Sequence, residues 1–138
     1  MRFFLDANIL VSVLNKEYPS YIYTSRVLSL AGEKNTTLVT TSICVAIAYY
    51  FAEKKHGQVK AKEKISLLLE HLDIADCGHK EAVAAIGNKK VHDFEDGLQY
   101  YAALHSKCTC IVSNDLDDFY FSDIQVLDPE RFFNKYVQ

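Results

Sequence analysis

Short apolar runs that alternate with helical patterns are the feature that most constrains the fold of this chain. The runs Phe3-Phe4-Leu5, Thr36 to Thr40 and Cys108 to Ser113 predict buried strands, and Leu72 to Ala75 and Ile124 to Leu127 predict two weaker ones. Short apolar strands separated by helices form parallel sheets that helices cover on both faces. The sequence therefore predicts an α/β fold, a three-layer α/β/α sandwich around a central, mainly parallel sheet of about five strands.

Helices are predicted where apolar residues recur at helical spacing behind a capping residue. The predicted segments are Ile9 to Leu14 capped by Asn8, Pro19 to Gly32, Thr41 or Ser42 to Gly57, 59 to 71, His79 to Ile86, Asp93 to His105, and a C-terminal helix from Pro129. With 138 residues, 49% of them hydrophobic, the chain has the size and composition of one domain with a substantial core. We therefore expect a single domain over residues 1–138.

Acidic residues follow two of the predicted strands and open one of the predicted helices. Asp6 comes directly after the first strand, Asp115 to Asp118 follow the strand that ends at Ser113, and Asp93 to Asp96 open the helix before it. Binding sites of parallel sheets form beyond the carboxyl ends of the strands, where the strand order switches. Asp6 by itself also suits a turn or a helix cap. The prediction of a site therefore requires the fold to bring the three segments together.

The segment Asp93-Phe94-Glu95-Asp96 carries more negative charge than helix capping requires. Asp93 suits the N-cap, and acids in a first helical turn interact favourably with the helix dipole. Three carboxylates within four residues nevertheless repel one another. Asp93 and Asp96 share a helix face, whereas Glu95 is predicted to point away. We interpret Asp96 as a metal ligand and Asp93 as its cap or an outer helper; the sequence leaves open whether Asp93 or Glu95 reaches the metal.

Asp115 and Asp118 are three residues apart, so one turn of chain can point both carboxylates the same way. Asp117, between them, is predicted to be solvated. Mg²⁺ and Mn²⁺ prefer carboxylate oxygens, so three or four convergent aspartates suit these ions. The spacing lacks the alternating ligands and central glycine of a calcium loop. The sequence therefore predicts an Mg²⁺ or Mn²⁺ site.

The net charge of −3 is compatible with a polyanionic substrate once the acidic residues are located. Seven of the 18 acidic residues fall in the three segments, which leaves 11 acidic residues against 15 basic ones elsewhere. If the seven surround a metal, the remaining surface is mildly basic. The charge distribution therefore permits binding to nucleic acid without requiring it.

Three motifs, found in order, resemble the signature of PIN domains. They are Leu5-Asp6-Ala7-Asn8-Ile9-Leu10, Asp93-Phe94-Glu95-Asp96 followed by Ala102-Ala103, and Ser113-Asn114-Asp115-Leu116-Asp117-Asp118-Phe119. The similarity in size and element order covers nearly the whole chain. PIN domains are Mg²⁺- or Mn²⁺-dependent ribonucleases, and the small ones are commonly VapC-like toxins of toxin–antitoxin pairs. The resemblance therefore implies a metal-dependent endoribonuclease that hydrolyses RNA phosphodiester bonds.

The resemblance also assigns roles to individual residues. The family's metal-binding acids match Asp6, Asp96 and Asp115, and Asp118 matches a further catalytic acid that often follows them. Supporting polar positions beside them match Ser113 and Asn8. The partners that the resemblance implies are RNA, an antitoxin protein that blocks the site, and a second copy of the chain in a homodimer.

One position departs from the pattern of the family. The family usually carries a glutamate in the helix after the second strand, and Ile47 occupies that position here. Glu53 lies nearly two helical turns further on and is a poor substitute. The alternative function is therefore a catalytically degenerate PIN domain that binds RNA or protein. A metal-dependent phosphatase or phosphotransfer receiver on a similar scaffold is a third possibility, but a receiver would need paired acids after the first strand, where Ala7 follows Asp6.

The remaining features favour ordinary structural roles. The apolar run at the N-terminus ends at Asp6, too early for a signal peptide, and no run reaches the ~20 residues of a membrane span, so we expect a cytoplasmic protein. All four cysteines are expected to be free thiols. The lysines from Lys54 to Lys64 suit either an RNA backbone or a solvated face. A core or interface role is favoured over base stacking for Tyr49, Tyr50, Tyr100 and Tyr101.

Overall fold

Five parallel strands form one sheet in the order β3-β2-β1-β4-β5 in the computed structural model, which describes residues 1–137. The strands are β1 (Arg2–Leu5), β2 (Thr37–Thr40), β3 (Asp73–Ile74), β4 (Cys110–Val112) and β5 (Gln125–Leu127). Phe3 of β1 pairs with Leu38 on one side and with Cys110 on the other. The predicted sheet is confirmed; Gln138, the last residue of the predicted domain, lies outside the described residues.

Seven helices and two 3₁₀ turns connect and follow the strands within residues 1–137. The helices are α1 (Ala7–Asn15), α2 (Tyr21–Leu28), α3 (Ser42–His56), α4 (Gln58–Leu69), α5 (His79–Gly87), α6 (Phe94–His105) and α7 (Pro129–Tyr136). The 3₁₀ turns are Ser29–Gly32 and Leu116–Phe119. The side chain of Thr41 caps α3 and that of Asp128 caps α7, because each accepts a hydrogen bond from an otherwise unpaired amide of the first helical turn.

The helices cover the sheet in two layers. The crossovers from β1 to β2 and from β2 to β3 carry α1 to α4, and right-handed connections place these helices on one face. The return from β3 to β4 reverses direction along the sheet, so α5 and α6 lie on the other face. α1 packs against α3, α5 against α6 and α7 against α2. The predicted three-layer sandwich is confirmed.

The central strands are apolar because both of their faces are buried. Phe4 and Leu5 of β1 and Ile111 of β4 are fully buried in the core. β4 spans Cys110–Val112 and is shorter than the predicted run from Cys108 to Ser113, although the amides of Thr109 and Ser113 still donate to the carbonyls of Arg2 and Leu127 on the neighbouring strands.

Two smaller predictions concern the cysteines and the membrane. All four cysteines carry free thiols, as expected. Among residues 1–137, no helix is both long enough and apolar enough to cross a membrane.

Candidate active site

The reversal of strand order between β1 and β4 creates the position at which a parallel sheet binds ligands. Asp6 directly follows β1, and Ser113 directly follows β4. The amide of Asp6 donates to the carbonyl of Val112 (3.0 Å), so the two strand ends stay joined beyond the strands. A cleft of about 360 Å³ opens here, and its acidic side is formed by Asp6, Asp96, Asp115 and Asp118. The fold thus brings the three acidic segments together.

Asp6 is held in one orientation by hydrogen bonds to both carboxylate oxygens. Its Oδ1 accepts from the amide of Ala7 (2.8 Å), and its Oδ2 accepts from the hydroxyl of Ser113 (2.9 Å). Asp6 is therefore the N-cap of α1, and the prediction that Asn8 caps this helix is wrong. The helix begins at Ala7, immediately after β1, which puts Asn8 inside its first turn and leaves its side chain free for another role.

Asn8 links the ends of β1 and β4. Its Nδ2 lies 3.2 Å from Ser113 Oγ and 3.4 Å from Asp115 Oδ2, and its Oδ1 accepts from the amide of Asn114 at 3.1 Å. The same Ser113 hydroxyl oxygen accepts from the amide of Asp115 at 3.0 Å. Asn8 and Ser113 thereby fix the position of Asp115 relative to Asp6.

Asp96 enters the cleft from the first turn of α6. Asp93 is the N-cap of this helix, because its Oδ1 accepts from the amide of Asp96 at 3.1 Å. Gly97 then allows close packing against α5 and the segment that follows it: a Cβ at this position would lie 2.7 Å from Val91 Cγ1 and 3.0 Å from Ala85 Cβ. The missing side chain of Gly97 therefore helps to set where Asp96 stands. Gly97 was not singled out from the sequence, because only the fold places Val91 and Ala85 beside it.

Asp115 and Asp118 are positioned by the 3₁₀ turn Leu116–Phe119, of which Asp118 is the third residue. Asp115 precedes the turn, and the amide of Asp118 donates to the carbonyl of Asp115 at 3.2 Å. This turn directs both residues into the cleft, as their spacing predicts. Asp117, between them, is exposed and does not line the cleft.

Burial and, to a smaller extent, mutual repulsion destabilise the charged form of the cleft aspartates. Burial raises the pKa of Asp6 to about 6, with smaller contributions from Asp118 and Asp115, even though the hydrogen bond from Ser113 opposes the rise. Burial also raises the pKa of Asp96 to about 7, assisted by repulsion from Asp118, Asp93, Asp6 and Glu95. The pKa of Asp118 is raised in the same way, by burial first and then by its acidic neighbours. A positive charge in the cleft would relieve this repulsion.

Two glutamates line the cleft in addition to the predicted aspartates. Glu95 does so although helical geometry predicts that it points away, because the adjacent residues Glu95 and Asp96 of the first turn of α6 both border the cleft. Glu17 follows α1 after Lys16, whose left-handed conformation (φ 51°) turns the chain. No spacing pattern in the sequence links Glu17 to the aspartates, so only the fold reveals it.

The position without the family's usual glutamate lies inside the cleft. Ile47 of α3 lines it, together with Phe51 one helical turn later and Val11 of α1. Glu53 does not line the cleft and instead accepts a hydrogen bond from the hydroxyl of Tyr49 (3.0 Å). The cleft therefore has an apolar side as well as an acidic one.

Comparison with known proteins agrees with this architecture. Residues 2–117 match the family model described as PIN domain. Ribonuclease VapC1 of Aquifex aeolicus (strain VF5) is 31% identical over 135 residues, which cover 95% of this chain and 92% of that protein.

Two solved structures share the fold. VapBC2 from Rickettsia felis, bound to a DNA fragment from their promoter, matches with a TM-score of 0.72 and 23% identity over 93% of this chain and 98% of the other. The sarcin–ricin loop cleaving toxin VapC20 of Mycobacterium tuberculosis matches with a TM-score of 0.66 and 11% identity over 89% and 98%. The family match over most of the chain, together with the full-length relative, establishes that this chain belongs to the PIN domain family.

Proposed function

We propose that this chain is a metal-dependent endoribonuclease that hydrolyses RNA phosphodiester bonds as the toxin of a toxin–antitoxin pair. One observation carries the proposal: Asp6, Asp96, Asp115 and Asp118, from three distant segments, line one cleft at the switch point of the sheet. Membership of the PIN domain family and the ribonuclease name of the Aquifex relative support it.

A divalent cation such as Mg²⁺ or Mn²⁺ fits the donor set of this cleft. Hard cations prefer carboxylate oxygens. Burial first, and the neighbouring carboxylates second, raise the pKa values of Asp6 and Asp96, and a cation in the cleft would favour the charged form of both groups. Within residues 1–137, no three acidic, histidine or cysteine side chains stand close enough to hold an ion as they lie. We propose Asp6, Asp96 and Asp115 as the ligands.

In the proposed cleavage reaction, different residues would hold the cation, orient its ligands and orient the attacking water. When bound, the cation would supply Lewis-acid stabilisation of the charge that develops on the phosphate oxygens. Ser113 and Asn8 hold Asp6 and Asp115 in place through the hydrogen bonds described above. Asp118 lies beside these ligands, where its carboxylate oxygens could accept a hydrogen bond from the attacking water and so orient it.

The proposal includes partners and a place of action. The resemblance to VapC-like toxins implies an antitoxin protein that covers the cleft, a homodimer of this chain, and activity in the cytoplasm. The acidic cleft is chemically suited to an antitoxin that presents a basic side chain, because a cationic group there would offset the same repulsion as a metal.

Cleavage of RNA with matched variants tests the proposal. Wild-type protein should cleave single-stranded or structured RNA with Mg²⁺ or Mn²⁺ and should stop when EDTA is added. Asp96→Asn and the double variant Asp6→Asn/Asp96→Asn should lose cleavage while keeping the circular dichroism of the wild type. Asp117→Asn, a charge change in the same loop outside the cleft, is the control and should stay active. Cleavage that survives EDTA or the double variant would refute the proposal.

A second candidate function is a degenerate PIN domain that binds RNA without cutting it. The presence of Ile47 in the cleft, where the family usually places a glutamate, favours this candidate. RNA binding without metal-dependent cleavage on any substrate tested would favour it over the nuclease.

A further inference from the structure

We infer that the ring of Phe51 is a stacking platform for an RNA base next to the phosphate that is cut; the inference rests on the proposed ribonuclease function. Phe51 lines the cleft and is 43% exposed, so part of its surface is accessible to a ligand there. It faces the same cleft as the four aspartates. A nucleotide whose phosphate lies at the carboxylates therefore has an apolar surface within the same cavity for a base.

The apolar side of the cleft is formed by two neighbouring helices. Ile47 and Phe51 lie four residues apart on one face of α3, and Val11 belongs to α1, which packs against α3. None of these three side chains can donate or accept a hydrogen bond. Such a surface binds flat, weakly hydrated groups such as the faces of nucleobases and gives little discrimination among their edges.

Phe51 makes one backbone hydrogen bond and one ring contact. The backbone carbonyl of Phe51 accepts a hydrogen bond from Asn15 Nδ2 at 3.3 Å, and Lys55 Nζ donates to the carbonyl of Asn15 at 2.5 Å. The ring of Tyr50 meets that of Phe51 edge to face, with centroids 5.2 Å apart. An aromatic side chain has only two side-chain torsions, so it loses little conformational freedom when a base stacks on it.

Positive charge lies on the same helix as the platform. Lys54 Nζ is 5.4 Å from the centroid of the Tyr50 ring, and Lys54 and Lys55 are both exposed in the last turn of α3. Binding sites for single-stranded RNA combine stacking rings with cations that follow the backbone. The C-terminal part of α3 supplies both beside the acidic cleft, so single-stranded RNA is the substrate class that this side of the cleft fits.

A fluorescence experiment can observe stacking directly, because the chain contains no tryptophan. Phe51→Trp in an Asp96→Asn background, which prevents cleavage, places a single reporter at the platform. Short single-stranded RNA should quench its emission, and the same oligonucleotide with an abasic nucleotide at the cleavage position should quench it less. Ile86→Trp, on the exposed surface of α5 across the sheet, is the matched control and should not respond.

Affinity and kinetics give a second measurement. In the Asp96→Asn background, Phe51→Ala should weaken binding of single-stranded RNA roughly 5- to 150-fold, the range for losing one stacked base, while Phe51→Tyr should retain it. In the active protein, Phe51→Ala should raise KM more than it lowers kcat, because stacking stabilises the substrate before and during the reaction alike.

The outcomes separate this inference from the proposed function. Suppose that the wild type cleaves RNA, that Phe51→Ala leaves KM unchanged and that RNA does not quench the tryptophan reporter. The stacking platform is then refuted, and the proposed nuclease function stands. If RNA quenches the reporter but no metal-dependent cleavage occurs, the platform stands and the proposed nuclease fails. Equal quenching by intact and abasic RNA would also overturn the inference, since it would show proximity without stacking.

Discussion

The hydroxyl of Ser113 donates a hydrogen bond of 2.9 Å to the carboxylate of Asp6, although the two residues are 107 positions apart. They meet because β1 and β4 are parallel neighbours, with Leu5 opposite Val112 in register, so the residues that follow both strands emerge side by side. Ser113 is completely buried, and its oxygen also accepts from the amide of Asp115. One hydroxyl group thus joins two of the proposed metal ligands.

Replacing Ser113 tests this connection. Ser113→Ala should lower the free energy of unfolding by about 1–3 kcal/mol, because it removes a partner from the buried Asp6 carboxylate and from the Asp115 amide. It should also weaken Mn²⁺ binding, since both ligands lose an orienting contact. Urea unfolding and calorimetric titration with Mn²⁺ measure the two effects.

The control for Ser113 is Ser66→Ala on the exposed surface of α4. It should change the free energy of unfolding by less than about 0.5 kcal/mol and leave Mn²⁺ affinity unchanged. Equal behaviour of the two variants would show that the hydroxyl of Ser113 has no organising role.

Asp96→Asn should stabilise the protein in the absence of metal and abolish its activity. The folded protein raises the pKa of Asp96 from 3.8 to about 7, mainly through burial and then through repulsion by Asp118. The protonated form is therefore the one that folding favours, so the associated stability is fully present below about pH 4 and is lost as the pH rises towards 7. Asparagine at position 96 is neutral at every pH, so the Asp96→Asn variant keeps this stability as the pH rises.

Thermal unfolding in EDTA across this pH range measures the effect. The Tm of Asp96→Asn should exceed that of the wild type at about pH 8, and the difference should shrink towards about pH 4. Asp123→Asn, an exposed residue outside the cleft, should show no such trend. Adding Mn²⁺ should raise the Tm of the wild type more than that of Asp96→Asn. A Tm difference that does not vary with pH would contradict the burial of charge at Asp96.

Local patterns were sufficient to predict the sheet and most of the helices. Apolar runs bounded by capping residues located β1, β2 and the start of α6, because these elements are defined by burial and by hydrogen bonds within a few residues. Where two polar residues competed for one role, the sequence was less informative. The sequence pattern predicts that Asn8 caps α1, but β1 ends at Leu5 and the next residue, Asp6, is the N-cap.

The acidic side of the cleft was predictable for a different reason from its apolar side. Asp6, Asp96 and Asp115 occur in short motifs that the resemblance to PIN domains could align. Glu17 and Phe51 belong to no motif, and they enter the cleft only because α1 packs against α3. A residue that reaches a site only through the packing of two helices belongs to no sequence motif, so its role cannot be predicted from residue spacing.

Gly97 provides a prediction about packing near the site. Gly97→Ala should lower the free energy of unfolding by about 1–3 kcal/mol, because the added methyl group would overlap Val91 Cγ1 at 2.7 Å and press on Ala85 at 3.0 Å. Gly87→Ala, in α5 where a Cβ meets nothing within 4 Å, should leave the free energy of unfolding unchanged or raise it by up to about 1 kcal/mol. Denaturant unfolding of both variants compares them, and a neutral Gly97→Ala would mean that α5 and α6 separate easily.

Ile47→Glu should strengthen metal binding and raise cleavage. The side chain at this position lines the cleft that holds Asp6 and Asp96, so a carboxylate there adds an oxygen donor to the proposed metal site. Because affinity for hard cations rises with the number of charged ligands, we expect Mn²⁺ to bind about tenfold more tightly. The same substitution should lower the Tm in EDTA, because a further negative charge joins carboxylates that already repel one another.

Ala46→Glu is the matched control for Ile47→Glu, since it adds the same charge one residue earlier on the exposed side of α3. It should alter neither Mn²⁺ affinity nor the Tm in EDTA. If Ile47→Glu gains metal affinity and cleavage together, the apolar residue limits an otherwise complete site. If it gains metal affinity without any cleavage, metal binding is not what limits activity, and the degenerate PIN domain becomes the better account of this chain. If it gains neither, position 47 does not reach the metal, because a carboxylate in contact with the ion would have to change its affinity.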